Sequence, residues 1–168
     1  MSEQVTVGAN YITLDGNGHT LDRLPETDCS ASVPDQYGIL LAAKTTIVIK
    51  NFTIKKFCNG MNFANSISNS ILDNTITNNY YRGLYIGNGN DNLISNNVIT
   101  NNWREGLNID YAVDDTISNN VFTNNVGNNS YWAIQLTGSQ GFTITGNTVS
   151  STTTYPSELG IYADLASG

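Results

Sequence analysis

Charge is scarce in this chain. Asp, Glu, Lys and Arg make up only 12% of 168 residues, and the acids outnumber the bases 14 to 7, for a net charge of −7 and a pI near 4.3. That balance argues against nucleic acid and against an anionic membrane surface as partners. No apolar run is long enough to span a bilayer, so membrane insertion is not expected. A single histidine, His19, sits beside a turn signal, and with two Met and two Cys that lack ligand spacing it supplies no donor set for copper. Of three prolines, two fall in one aperiodic segment, residues 22–36. Helical periodicity is missing too.

Asparagine is abundant instead, with 25 copies, and it recurs in register. NSILDNTITNN from Asn69, DNLISNNVITNN from Asp91, DDTISNNVFTNN from Asp114 and GFTITGNTVSS from Gly141 are copies of one unit. One column holds Asn51, Asn74, Asn97, Asn120 and Asn147, at steps of 23, 23, 23 and 27 residues. A second column holds Gly38, Gly60, Gly83, Gly106, Ala133 and Gly160, each opening a short run such as GLYI or GLNI. Two registers that agree on one period establish a repeat architecture.

Within each unit apolar and polar residues alternate, which is strand periodicity. About three short strands per unit are too few to bury an apolar face unless the next unit stacks on them. The sequence therefore predicts an all-β parallel β-helix of about seven coils of roughly 23–27 residues, with strands about 4.8 Å apart along the axis. Asn suits its corners because it tolerates left-handed backbone and because stacked amides can bond to one another as an Asn ladder. Residues 1–168 are expected to form a single domain. It is read as a piece of a longer chain, since Met-Ser-Glu stands directly ahead of a strand pattern and the last coil stops unfinished.

Three expansions interrupt the coil just before the Gly column: residues 22–36, Val126–Tyr131 and Ser151–Glu158. Insertions in repeat proteins cluster on the binding face, so the sheet of G-φ-x-φ strands is the candidate functional surface. Its outward positions and their flank hold Tyr81, Arg82, Tyr85, Trp103, Arg104, Glu105, Asn108, Asp110, Trp132 and Gln135. Aromatic rings can lie against sugar rings while amides and carboxylates bond hydroxyls, so this mixture suits a polysaccharide. If the chain is an enzyme, Glu105 and Asp110 are the best carboxyl pair for hydrolysis, and Tyr85 with Arg104 could serve elimination or epimerisation. Asp91 and Asp114 occupy equivalent positions in successive coils with Asp115 beside them, a weak calcium candidate. Cys29 in the first insertion and Cys58 one coil later fall close enough for a disulfide, the alternative being two separate thiols; a disulfide would imply export.

LDGNGHTL (Leu14 to Leu21), the I-x-x-N-x-I-x-x-N units such as ISNNVITNN (Ile94 to Asn102) and the G-φ-x-φ strands together resemble the NosD-like, or CASH, right-handed parallel β-helix repeats. The resemblance covers nearly the whole chain. It implies the fold and an extracellular, cell-surface or periplasmic location, and it spans accessory factors of copper enzymes, surface-layer proteins and polysaccharide lyases, epimerases and hydrolases. The expected function is a non-catalytic module, structural or carbohydrate-binding. The alternatives are a polysaccharide lyase, epimerase or hydrolase acting on an acidic glycan, with Arg82 or Arg104 able to hold the acidic sugar bidentately, and a self-assembling filament or surface-layer subunit that stacks end to end. Apart from the calcium candidate, no cofactor is expected.

Overall fold

The computed structural model describes residues 4–23, 29, 36–125, 132–152 and 160–165. Short β-branched triplets set its geometry. TIT, VIT and VFT at Thr75–Thr77, Val98–Thr100 and Val121–Thr123 each bury the middle residue and turn the outer two to solvent, which is what a three-residue strand on a one-sided core requires.

The strands fall into three parallel sheets. Sheet A orders β1 (Val5–Thr6), β4 (Tyr37–Ala42), β7 (Asn59–Ala64), β10 (Leu84–Gly87), β13 (Leu107–Asp110), β16 (Ile134–Ser139) and β19 (Ile161–Leu165). Sheet B orders β2 (Thr13–Asp15), β5 (Val48–Lys50), β8 (Ser70–Leu72), β11 (Leu93–Ser95), β14 (Thr116–Ser118) and β17 (Thr143–Thr145). Sheet C orders β3 (Thr20–Asp22), β6 (Thr53–Lys55), β9 (Thr75–Thr77), β12 (Val98–Thr100), β15 (Val121–Thr123) and β18 (Thr148–Ser150). The chain visits A, B and C in turn, always pairing with the equivalent strand one coil away, so this is a right-handed parallel β-helix. Among the described residues there are six full coils and the first strand of another, and the expectation of about seven runs slightly high. One apolar column, with Ile39, Leu41, Ile54, Met61, Phe63, Ile71, Ile76, Ile94, Ile99 and Phe122 fully buried, fills the interior.

Asparagine pairs make the corners, and the two members of each pair do different jobs. The first takes left-handed backbone: Asn96 has φ 58°, Asn101 56° and Asn119 56°, and Asp73 does the same at 55°. The second turns inward and is buried. At the corner from B to C, Asn97 Oδ1 accepts from the backbone N–H and the Nδ2 of Asn74 at 2.9 and 3.1 Å, and Asn120 Oδ1 accepts from those of Asn97 at 2.9 and 3.0 Å. Asn97 Nδ2 also donates to Ile71 O at 2.9 Å, so one side chain links three coils. The expected single ladder is in fact three, with Asn79, Asn102 and Asn125 at the corner from C to A and Asn69, Asn92 and Asp115 at the corner from A to B.

One register expectation fails in the second coil. Thr53 pairs with Thr75 and Ile49 with Ile71, steps of 22 residues, so Phe52 and not Asn51 occupies the ladder position beneath Asn74. Asn51 takes the left-handed corner at φ 60°, and its amide donates to Asp15 at 2.9 Å. The Gly column has a steric cause. A Cβ at Gly83 would stand 2.6 Å from Gly106 O and 2.9 Å from Asn102 Nδ2, so only glycine lets a ladder amide and the next coil approach this closely.

Asp115 breaks the ladder's chemistry. It is fully buried, and its Oδ1 accepts from the N–H and Nδ2 of Asn92 at 2.7 and 3.1 Å, but Oδ2 stands where an Asn would place a donor and has no partner among the described residues. Burial above all, with the charges of Asp91 and Asp114 adding, raises its pKa from 3.8 to about 7 against the pull of the Asn92 bonds. An acid held this way keeps its proton more tightly folded than unfolded, so the stability it contributes declines as pH climbs from 3.8 to about 7 and is flat above.

Two stability measurements follow. In urea unfolding, Asn97→Ala is expected to cost roughly 3 kcal/mol or more by stranding buried amide and carbonyl groups, whereas Asn96→Ala costs about 1–2 kcal/mol for its left-handed corner and Asn96→Gly almost nothing. Equal losses at 96 and 97 would contradict the division of labour. Melting curves of Asp115→Asn should lie above those of the parent chain at pH 8, with the gap closing by pH 4; a gap independent of pH would mean that Asp115 does not titrate in this range.

Candidate functional site

The ladder at the corner from C to A delivers the aromatic residues of the predicted face. Asn79 is followed by Tyr80, and Asn102 by Trp103 in the next coil. Their rings stack at 18°, with centroids 6.4 Å apart, and remain 53% and 57% exposed. Tyr81 meets Tyr80 edge-on at 6.2 Å, and the Arg104 guanidinium lies 4.4 Å above the Tyr81 ring. The Tyr81 hydroxyl donates to the carbonyl oxygen of Cys29. Cys29 is joined to Cys58 in a disulfide with a Cα–Cα distance of 5.5 Å, so the one described residue between 24 and 35 is held to this corner twice.

Sheet A then carries the outward columns in the expected register. Asn62, Tyr85, Asn108, Gln135 and Tyr162 form one, and Ala64, Gly87, Asp110, Thr137 and Asp164 the other. Tyr85 lies flat along its strand: a Cβ at Gly87 would come within 2.7 Å of the phenol oxygen, so glycine makes room for the ring. The Arg82 guanidinium covers Tyr85 at 5.1 Å. Burial, and then the nearby Asp110 carboxylate, raise the Tyr85 pKa while Arg82 opposes them, so the phenol stays protonated as a hydrogen-bond donor. With its nitrogen oriented toward Asp110, the Asn108 amide donates to both carboxylate oxygens at 3.2 and 3.1 Å. Gln135 Nε2 donates to Thr137 Oγ1 at 3.3 Å. One coil on from Trp132, Tyr162 stacks against it at 5.2 Å and 19°.

Three expectations change. Glu105 is not presented outward: its side chain is 3% exposed and its Oε2 is bonded by Arg82 Nε at 3.2 Å. The pair Glu105 and Asp110 therefore does not flank an open bond, because one member is sealed beneath a cation. Asn108 belongs to the outward column yet is buried, serving Asp110 and not solvent. Asp115 turns into the core while Asp91 and Asp114 remain left-handed corner residues, and among the described residues no three His, Cys, Asp or Glu side chains are grouped to hold a cation. Tyr80 and Tyr162 join the face, as the sequence expects from the corner shared with Trp103 and the place in the Tyr85 column. Most of the three expansions, at 24–28, 30–35, 126–131 and 153–159, lies outside the described residues.

The exposed aromatics thus form a strip from the coil of β10 to that of β19, three coil steps or about 15 Å long. It offers stacking surfaces, a phenol, a held carboxylate and an amide. No described helix is long and apolar enough to cross a membrane.

Among solved structures, the chain is similar to the Agl-KA catalytic domain, at 21% identity and a TM-score of 0.60, covering 77% of this chain and 28% of that one. It is similar also to the enzymatically active domain of tailspike protein 2 from bacteriophage CBA120, at 14% identity and a TM-score of 0.65 over 88% of this chain and 22% of that one. The A-module of the mannuronan C-5 epimerase AlgE4 from Azotobacter vinelandii matches at 14% identity and a TM-score of 0.52, over 79% of this chain and 48% of the module. These likenesses are of fold, and the chain spans less than half the length of each. No curated protein sequence matches it. The family model described as periplasmic copper-binding protein (NosD) matches residues 2–167, nearly every coil of the repeat, and the chain belongs to that family.

Proposed function

We propose that this chain is a non-catalytic β-helix module that binds polysaccharide along the aromatic strip of sheet A. The observation that carries the reading is the two stacked pairs, Tyr80 with Trp103 and Trp132 with Tyr162, in which Tyr80, Trp103 and Tyr162 are exposed and Trp132 is half-buried. Exposed rings fixed by packing lose little entropy on binding, and their apolar faces match the carbon–hydrogen faces of pyranoses, while Asp110, Asn62 and Gln135 stand within the same columns to take hydroxyls. Solved relatives of the fold that bear the names of an epimerase and a tailspike lend support to a glycan partner.

The catalytic alternative has less behind it. Hydrolysis needs two carboxyl groups at the bond, and Glu105 is committed to Arg82. The family description names copper, and the donors here do not fit it. Cys29 and Cys58 are consumed in a disulfide, Met61 is wholly inside the core, Met1 lies outside the described residues and His19 is the chain's single imidazole. The disulfide and the periplasmic family description support a location outside the cytoplasm.

Affinity electrophoresis through gels that contain a panel of polysaccharides tests the reading. At least one polymer should retard the protein, and Trp103→Ala or Trp132→Ala should weaken that retention by roughly tenfold, the effect of losing about 1–2 kcal/mol at an aromatic contact. Unretarded migration through every gel would refute glycan binding, and retention indifferent to both substitutions would move the site off this face.

A further inference from the structure

We infer that the polysaccharide taken by this face is neutral and not a polyuronate, an inference that rests on the glycan-binding reading above. All seven Lys and Arg residues of the chain are described, so its cations can be placed one by one. Arg23 is buried against the disulfide, 3.3 Å from Cys58 Sγ. Lys50 pairs with Asp15 at 3.2 Å, and Lys55 and Lys56 pair with Asp22 at 3.0 and 3.6 Å, on sheets B and C and the corner beyond. Lys44 follows β4, at the far edge of sheet A from the aromatic corner. Lys56 stands at the corner from C to A, one coil before Tyr80, and is held to Asp22, so the sheet A side of the aromatic strip itself has Arg82 and Arg104.

Neither is arranged as a carboxylate clamp. The Nε edge of Arg82 is spent on the buried Glu105 at 3.2 Å, and its guanidinium plane covers Tyr85. Arg104 lies over Tyr81 at 4.4 Å. Buried Glu105 offsets Arg82, which leaves Arg104 against the two outward carboxylates Asp110 and Asp164. A polyuronate brings a negative charge with every sugar and needs bidentate cations to replace its hydration. Here it would meet net negative charge. A neutral glycan asks only for ring faces and hydroxyl partners, and the stacked aromatics, the Tyr85 phenol and the Asn108-held Asp110 carboxylate supply those.

The test runs the intact chain through gels holding hydroxyethylcellulose, galactomannan, polygalacturonate or alginate, at low and at high sodium chloride. Retention by a neutral polymer is expected to exceed that by either polyuronate by on the order of tenfold and to be unmoved by salt, because no charge pair forms. In Asp164→Asn the polyuronates should gain and the neutral polymer should not. Stronger retention by a polyuronate that fades with salt would overturn the neutral assignment and leave glycan binding standing. No retention in any gel would overturn both.

Discussion

The fold hangs on a buried amide. An asparagine side chain has one acceptor and two donors, and in a stacked coil these have fixed addresses: the oxygen takes the previous coil's backbone and amide N–H groups, and the nitrogen gives to the next coil's amide and to a carbonyl behind it. The fourth coil meets this requirement in full at three corners, through Asn92, Asn97 and Asn102. Buried polar groups left unpaired cost more than paired ones gain, so the ladder enforces its period on the chain. The left-handed residue before each ladder position, the glycine that makes room for Asn79, Asn102 and Asn125, and the three-residue strands between corners are consequences of that arrangement. Its one departure, Asp115, keeps the acceptor and loses the donor, and the missing bond reappears as a raised pKa.

The same ladder sets the proposed binding surface. Because Asn79 and Asn102 are pinned, Tyr80 and Trp103 leave the corner at fixed places one coil apart. Because sheet A is in strict register from β4 to β16, its outward residues form straight columns. Rigidity of this kind suits recognition of a repeating polymer better than chemistry on it. The groups that could act as acid or base are tied to neighbours: Glu105 under Arg82, Asp110 to Asn108, and the Tyr85 phenol beside Asp110.

Much of this was legible in the residues. Alternation within the unit and the agreement of the Gly and Asn columns led to the parallel β-helix, and the columns through Tyr85 and Gly87 were read correctly because coils three to five share a step of 23 residues. Reading failed where the step changed. A step of 22 between the second and third coils shifted Asn51 by one place, and in a sequence so rich in Asn a wrong asparagine looks as good as the right one. The Asn-Asn pairs concealed two roles under one residue type, so two of three ladders went unseen. Burial of Glu105 and Asn108 was not legible at all. It depends on which side chain of the neighbouring coil lies across them, and outward periodicity is silent about that. Asp115 was readable in principle, since it continues the spacing of Asn69 and Asn92.

The chain's two tryptophans, Trp103 and Trp132, both belong to the proposed face, which makes intrinsic fluorescence the most direct measurement. Titration with a soluble neutral oligosaccharide series is predicted to shift or quench their emission to saturation, more steeply as the oligomer grows long enough to reach both. Emission unchanged at every length, with the protein folded by circular dichroism, would contradict the account.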